Sequence, residues 1–133
     1  MADLELKSKA QELIKLMVDT IADKEYAKLI FSIPPKLSWA MDAEPTPEHA
    51  YLGFGKWLDE QLAMWEEDYD KEFVVDHFNR CCMEGIDELN LETNNRVIVS
   101  YNPTSLGEPL DFWFEIEFFV ENGQIAAVFD VNI

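Results

Sequence analysis

The first half of the chain repeats apolar residues at helical spacing. From Leu6 to Ile21, apolar side chains return every three or four residues, and such a stripe predicts an amphipathic helix facing a core. Asp23 is then suited to cap a second, shorter helix that continues to Ile33. The adjacent Pro34-Pro35 pair must end this helix, because proline has no N–H to donate.

A further helical region is predicted from Thr46. Threonine followed by Pro47 is typical of a helix start, where the missing proline donor costs nothing. Gly53 and Gly55 weaken the middle of this region, and a firmer helix follows them. The segment "KLSWAMD" before it is expected to be a short strand or an extended crossing segment.

The pattern between Asp70 and Gly85 is ambiguous. Apolar residues from Phe73 to Cys81 follow helical steps, which predicts a helix capped by Asp70 and ended by Gly85. A strand through "EFVVDHF" is the alternative, because short apolar runs do not distinguish the two structures.

From Ile86 onward the apolar period changes to two, which is typical of strands. Asn94-Asn95 predicts one hairpin turn and Asn122-Gly123 a second, because these residues tolerate positive φ. The segment "NPTSLGEP" joins the two hairpins. Helices followed by an antiparallel sheet predict a single α+β domain over residues 1–133, with the helices packed on one face of the sheet.

The turn of the last hairpin determines its register. With Asn122 and Gly123 in the loop, Glu121 pairs with Gln124, and each further pair follows outward. One face is then almost wholly apolar and predicts the core. The other face is mixed, and its residues are Trp113, Glu115, Glu117, Phe119, Ala126, Val128, Asp130 and Asn132.

Glu115 and Asp130 are predicted to stand directly opposite each other on the mixed face. Opposed like charges destabilise a sheet, so water, a cation, a basic side chain or a shared proton must relieve them. A pair that shares a proton in a pocket could act as an acid or a base. The alternative is an outer face on which both groups are solvated or paired with a lysine.

Charge narrows the possible partners. The formal net charge is −17, and residues 41–133 contain 21 acidic and only four basic residues. Such a field repels phosphate, which argues against nucleic acid and anionic membranes as partners. It favours cationic or neutral ligands. The alternative is that the acidity serves only to keep the protein soluble.

The only cysteines are the adjacent Cys81 and Cys82, which predict neither a structural disulfide nor a zinc site. Because the sequence shows neither an apolar leader nor a membrane span, we expect a cytoplasmic protein. We also expect no metal or cofactor.

The order of elements resembles the nuclear-transport-factor-two-like superfamily, the cystatin-like rolls that include ketosteroid isomerases and polyketide cyclases. The resemblance rests on "LKSKAQELIKLMVDTIADKEYAKLIFSI", "LSWAMD", "FGKWLDEQLAMW" and the closing "FWFEIEFFVENGQIAAVFDV". It implies a curved sheet that forms a cone with the helices, an apolar pocket within that cone, and a homodimer through the open sheet face.

Candidate site residues follow from these patterns. His77 is a candidate for a catalytic base, with a core or boundary histidine as the alternative. Aromatic side chains that combine apolar area with one polar group could line the pocket; these are Trp39, Tyr51, Trp57, Trp65 and Tyr101. More often, such residues are simply core.

Three functions are compatible with the sequence. The first is a non-catalytic homodimer that binds an apolar or neutral small molecule and associates through Trp113, Glu117, Phe119, Ala126 and Val128. The second is a cofactor-free isomerase or dehydratase that uses His77 or an acid of the Glu115/Asp130 pair. The third is an interaction partner for a basic protein.

Overall fold

The structure, a computed structural model, describes residues 3–31, 47–84, 96–121 and 123–132. Two long helices pack against a small antiparallel sheet, which confirms the α+β class. Helix α1 spans Asp3–Ala22, and helix α2 spans Pro47–Tyr69. Between them, the predicted second helix is a single stretch of 3-10 helix at Tyr26–Phe31.

Helix α1 confirms the first apolar stripe. Leu6, Ala10, Ile14, Met17 and Ile21 are all buried, as one side of a 3.6-residue period requires. The helix ends at Ala22, and Lys24 adopts a left-handed φ of 59°, which turns the chain before the 3-10 helix. Asp23 therefore does not cap a second α-helix; its carboxylate instead binds His77.

Helix α2 begins at Pro47, as the proline predicted, and runs unbroken through both glycines. Gly55 is buried against the ring of Tyr26, and a Cβ atom at this position would collide with that ring. Gly55, although a weak helix former, therefore allows the 3-10 helix to approach α2 closely. Tyr26 also donates a hydrogen bond from its hydroxyl to Asp59 Oδ1 at 2.7 Å, which fixes the contact.

The described strands are β1 (Met83–Glu84), β2 (Arg96–Tyr101), β3 (Thr104–Ser105), β4 (Glu108–Pro109), β5 (Trp113–Glu121) and β6 (Gln124–Asn132). Four of them form the main sheet in the order β1-β2-β5-β6, and the short β3 and β4 form a separate hairpin. All described neighbours pair antiparallel.

The closing hairpin has the predicted register along its whole length. Glu121 pairs with Gln124, Glu115 with Asp130, and Trp113 with Asn132. Gly123 has a φ of 76°, which a tight hairpin turn needs and glycine supplies at little cost. The predicted apolar face is the core, since the side chains of Phe114, Ile116, Phe118, Ala127 and Phe129 are all fully or almost fully buried.

The sheet is neither closed nor strongly curled, so the expected cone-shaped roll is not confirmed. The core lies between its apolar face and the two helices. Phe54 of α2 packs edge-on against Phe114 and Phe129, with ring centroids 6.0 and 5.3 Å apart. The predicted segment "KLSWAMD" and the Asn94-Asn95 turn lie outside the described residues.

The prediction of a helix over residues 70–84 is wrong, and so is the alternative strand. The chain from Lys71 to Asn79 has no regular secondary structure, and it leads to a 3-10 turn at Arg80–Cys82. Asp70 does not begin a helix but ends α2, with a left-handed φ of 52°. Gly85, the predicted end of the helix, lies outside the described residues.

Other elements bind the backbone of this irregular segment. Phe73 N–H donates to Glu66 Oε1, Val74 N–H to Ser105 Oγ, Asp76 N–H to the Thr104 carbonyl, Phe78 N–H to Asp19 Oδ1, and Asn79 N–H to the Tyr101 hydroxyl, with donor–acceptor distances of 2.8 to 3.1 Å. These partners satisfy five N–H donors of the segment without helix or ladder hydrogen bonds.

Candidate functional site

His77 lies at the surface. Its side chain is 63% exposed, and its Nε2 atom is 2.8 Å from Asp23 Oδ1 at the end of α1. The helix predicted for this part of the chain does not form, because residues 71–79 form the irregular segment. His77 is therefore part of a surface contact between this segment and α1.

The acid pair lies on the mixed face of the sheet. Glu115 is half-buried, whereas Asp130 is exposed and accepts a hydrogen bond from the Val131 N–H at 2.9 Å. In the strand register, Ser100 of β2 lies opposite Glu115, and Glu84 of β1 lies opposite Ser100. His77 and the acid pair thus belong to different parts of the structure, since His77 contacts Asp23, directly after α1, and Glu115 and Asp130 are paired on the sheet.

Two of the five candidate pocket aromatics belong to the core. Tyr51 is fully buried beside Phe129, with centroids 6.5 Å apart. Tyr101 stacks on Phe78 at 5.7 Å, and its hydroxyl accepts the Asn79 N–H. Burial, together with its neighbours, raises the pKa of Tyr101 to about 12, so this hydroxyl stays neutral at physiological pH.

The two remaining described aromatics are half-buried on α2, and Trp39 lies outside the described residues. Trp57 packs between Phe54 and Phe112, with centroids 6.2 and 6.1 Å away. Trp65 stacks on Phe112 with ring centroids 5.9 Å apart, and it also lines an open cleft.

This aromatic cleft lies at the end of α2 and has a volume of about 130 Å³. Trp65 and Tyr69 are four residues apart and therefore share one side of the helix. The left-handed Asp70 then reverses the chain, so that Phe73 packs against both rings, with centroids 5.9 and 6.0 Å away. The cleft is lined by Trp65, Tyr69, Lys71, Phe73, Pro109, Leu110 and Asp111.

The opposite wall of the cleft is held by Asn102. Its side-chain amide donates to the carbonyl oxygens of Leu110 and Phe112, both at 2.9 Å. The Leu110 N–H in turn donates to the Pro103 carbonyl. These hydrogen bonds fix the backbone that follows β4, so the wall is preorganised without belonging to the main sheet.

Lys71 stands at the rim between the aromatic cleft and a neighbouring cleft of about 200 Å³. Its Nζ atom lies 5.3 Å from the centroid of the Phe73 ring and 2.9 Å from Glu108 Oε2. A cation over an aromatic face is attracted by the negative charge of the ring face. The lysine therefore already makes with Phe73 the kind of contact that a ligand cation would make.

The surroundings of the aromatic cleft are strongly acidic. The last turn of α2 contains no basic residue, and the helix adds the negative end of its own dipole there. The charged residues at the end of α2, in the turn that follows it and in the cleft wall are acidic, with the exception of Lys71. These acidic residues are Glu66, Glu67, Asp68, Asp70, Glu72, Glu108 and Asp111.

The mixed face of the sheet exposes two large apolar residues. Ile98 of β2 is 54% exposed and stands opposite Glu117, and Trp113 is 41% exposed. Phe119 and Val128 are half-buried, while Ala126 is buried. Ile98 was not among the predicted interface residues, because its place depends on the β2–β5 register, which no turn in the sequence specifies.

Of the residues that line the aromatic cleft, Trp65 was among the predicted pocket aromatics, whereas Tyr69, Lys71 and Phe73 were not. The spacing of Trp65 and Tyr69 is visible in the sequence and could have indicated a shared face. Lys71 and Phe73 could not have been added, because the segment that follows α2 was predicted to be helical.

No cluster of acidic, histidine or cysteine side chains among the described residues could hold a metal ion. None of the described helices has the length and apolar character needed to cross a bilayer.

Comparison of the chain with protein-family models, with curated proteins and with solved structures gives no match.

Proposed function

We propose that this protein is a non-catalytic domain that binds a small molecule in the aromatic cleft and forms a homodimer through the mixed face of its sheet. The observation that carries the first part is the cleft itself, in which Trp65, Tyr69 and Phe73 face open space beside a fixed backbone wall. Aromatic surface with a few polar groups is typical of ligand sites.

The size of the cleft favours a small ligand. Drug-sized ligands occupy pockets of roughly 300 to 1,000 Å³, whereas the aromatic cleft measures about 130 Å³. A ligand or head group of a few heavy atoms fits this space, and the neighbouring cleft leaves room for an attached chain.

An enzymatic function has less support. His77 and the Glu115/Asp130 pair lie on different elements, and none of the three lines the aromatic cleft. Proton transfer requires a base within hydrogen-bonding reach of the bound substrate. A binding function needs no such group.

The exposed apolar residues of the mixed face support the homodimer. Ile98 exposes about half of its surface in the same part of the sheet as Phe119 and Val128, and Trp113 exposes a similar fraction at the start of β5. Exposed apolar residues with polar interruptions suit a self-complementary interface. The resemblance to the nuclear-transport-factor-two-like superfamily implies association through the same kind of surface. The free, adjacent Cys81 and Cys82 support a reducing compartment such as the cytoplasm.

Saturation-transfer NMR with small neutral probes, such as cyclohexanol and indole, tests the binding site. We expect transfer to at least one probe in the unmodified protein and its loss in Tyr69→Ala, because Tyr69 contributes one wall and is 64% exposed. Met64→Ala is the matched control, since Met64 is 46% exposed on the same helix but does not line the cleft. Equal transfer in both variants would contradict a site in this cleft.

A further inference from the structure

The aromatic cleft already contains a cation of its own. Lys71 Nζ lies over the Phe73 ring and pairs with Glu108, and both side chains of this pair are more than half exposed. Such an exposed ion pair stabilises the fold little, so a competing cation can displace Lys71 at low cost.

Charge and aromatic surface in the cleft favour the same class of ligand. Phe73 packs against Trp65 and Tyr69 with ring centroids 5.9 and 6.0 Å apart, and Lys71 Nζ lies 5.3 Å from the Phe73 centroid, so this ring already receives a cation. Acidic residues and the carbonyl end of α2 create a negative potential around the rings. An anionic ligand would be repelled, and a neutral one would gain nothing from this potential.

Among cations, an alkylated ammonium group fits best. A primary ammonium is compact and strongly hydrated, so it loses much hydration when it enters an aromatic site. Metal ions need several oxygen ligands around one point, and the described residues form no such cluster. A trimethylammonium group, by contrast, spreads its charge over methyl groups that pack on aromatic faces.

We propose that the aromatic cleft binds a small molecule with a trimethylammonium head group, and that Lys71 competes with it for the face of Phe73. The inference rests on the proposed function, because it names the ligand class of the same cleft. The head group takes the place of Lys71 Nζ over the Phe73 ring, and its charge is balanced by Asp111 of the cleft and by Glu108, which the displaced Lys71 releases.

The probes that test this inference are choline and 3,3-dimethyl-1-butanol. They have the same shape, but the second replaces the ammonium nitrogen by carbon and is neutral. Titrations are followed by protein-observed NMR at the Trp65 indole N–H. We expect choline to bind more tightly than the alcohol, and this preference to weaken as salt screens the acidic surroundings.

Lys71→Met removes the competing cation but keeps an apolar stem. We expect choline to bind this variant more tightly by about two- to fivefold, the factor that corresponds to one exposed cation–π contact. Lys56→Met is the control, because it makes the same change of charge on an exposed position of α2 outside the cleft. Phe73→Leu should abolish the preference for choline over the alcohol.

The outcomes separate this inference from the proposed function. If both probes bind equally well and Lys71→Met strengthens both alike, the cleft is an apolar site and the trimethylammonium inference is wrong. If neither these probes nor the neutral fragments bind to the unmodified protein or to Lys71→Met, the cleft is not a ligand site and both proposals fail. An equal gain in choline affinity in Lys56→Met would show an effect of net charge rather than of the cleft.

Discussion

The missing side chain of Gly55 determines how closely the 3-10 helix packs against α2. Glycine is unfavourable in a helix interior, by roughly 1 kcal/mol relative to alanine. Here the missing Cβ leaves room for the Tyr26 ring, which is buried, hydrogen-bonded to Asp59 and packed edge-on against Phe54. Gly53, two residues earlier in the same helix, is exposed.

The two glycines should therefore respond to alanine with opposite signs. Gly55→Ala forces Tyr26 away from its position, and such overpacking costs about 1 to 3 kcal/mol, more than the gain in helix propensity. Gly53→Ala should instead stabilise the protein by up to about 1 kcal/mol. Urea denaturation followed by far-ultraviolet circular dichroism measures both changes, and stabilisation by Gly55→Ala would contradict the close contact.

Asp76 holds a strained turn of the small hairpin. Leu106 and Gly107, between β3 and β4, both have positive φ, and a left-handed conformation is unfavourable for leucine. The Asp76 carboxylate accepts hydrogen bonds from both of their N–H groups and from the Thr104 hydroxyl, with distances of 2.7 to 3.0 Å. One side chain thus joins the irregular segment to the hairpin behind the cleft.

These bonds make the contribution of Asp76 depend on pH. Burial opposes ionisation, but the Gly107 N–H, the Thr104 hydroxyl and the Leu106 N–H outweigh it and hold the pKa of Asp76 below its usual value. Because its pKa is lower in the folded state, ionised Asp76 stabilises the fold above the unfolded value of about 4. This contribution is lost as pH falls through the folded pKa.

We expect Asp76→Asn to destabilise the protein by about 1 to 2 kcal/mol at pH 7, because the amide nitrogen cannot accept the bonds that the second oxygen accepts. The difference from the unmodified protein should shrink below pH about 4. Thermal unfolding across this pH range measures it. Asp68→Asn, an exposed change on α2, should leave stability almost unchanged at every pH. A loss that is constant with pH would show that the charge of Asp76 is not responsible.

At the scale of whole elements, the chain divides into parts that local sequence determines and parts that it does not. The stripe of α1, the start of α2 at Pro47 and every pair of the β5–β6 hairpin follow from periodicity and turn chemistry. Each of these elements satisfies its own hydrogen bonds or those of its immediate neighbour along the chain, so a window of about twenty residues contains the relevant information.

The segment from Lys71 to Asn79 has the opposite character. Its apolar spacing resembles a helix, yet the groups that bind its N–H donors include Asp19 and Tyr101, far away in the sequence. Local periodicity cannot reveal such partners. The aromatic cleft depends on this segment through Phe73, so its composition could not be derived from the sequence, although the Trp65–Tyr69 pair could.

At the scale of the whole molecule, the proposed homodimer must bring two acidic proteins together. Each chain has a net charge of −17, and the mixed face adds an opposed Glu115 and Asp130 near its apolar centre. Repulsion between such surfaces is long-ranged at low ionic strength and is screened within about 10 Å at 0.1 M salt. Burial of Ile98 and Trp113 must therefore overcome a repulsion that depends on salt.

Light scattering across a range of sodium chloride concentrations should accordingly show a larger dimer fraction at higher salt. Ile98→Glu adds charge at the apolar centre and should leave a monomer at all concentrations tested. Leu16→Glu is its matched control, because Leu16 is 47% exposed on α1, away from the sheet face, and this variant should associate like the unmodified protein. A dimer that is unaffected by Ile98→Glu would place the interface on another surface, since no apolar contact centred on Ile98 tolerates a charge there.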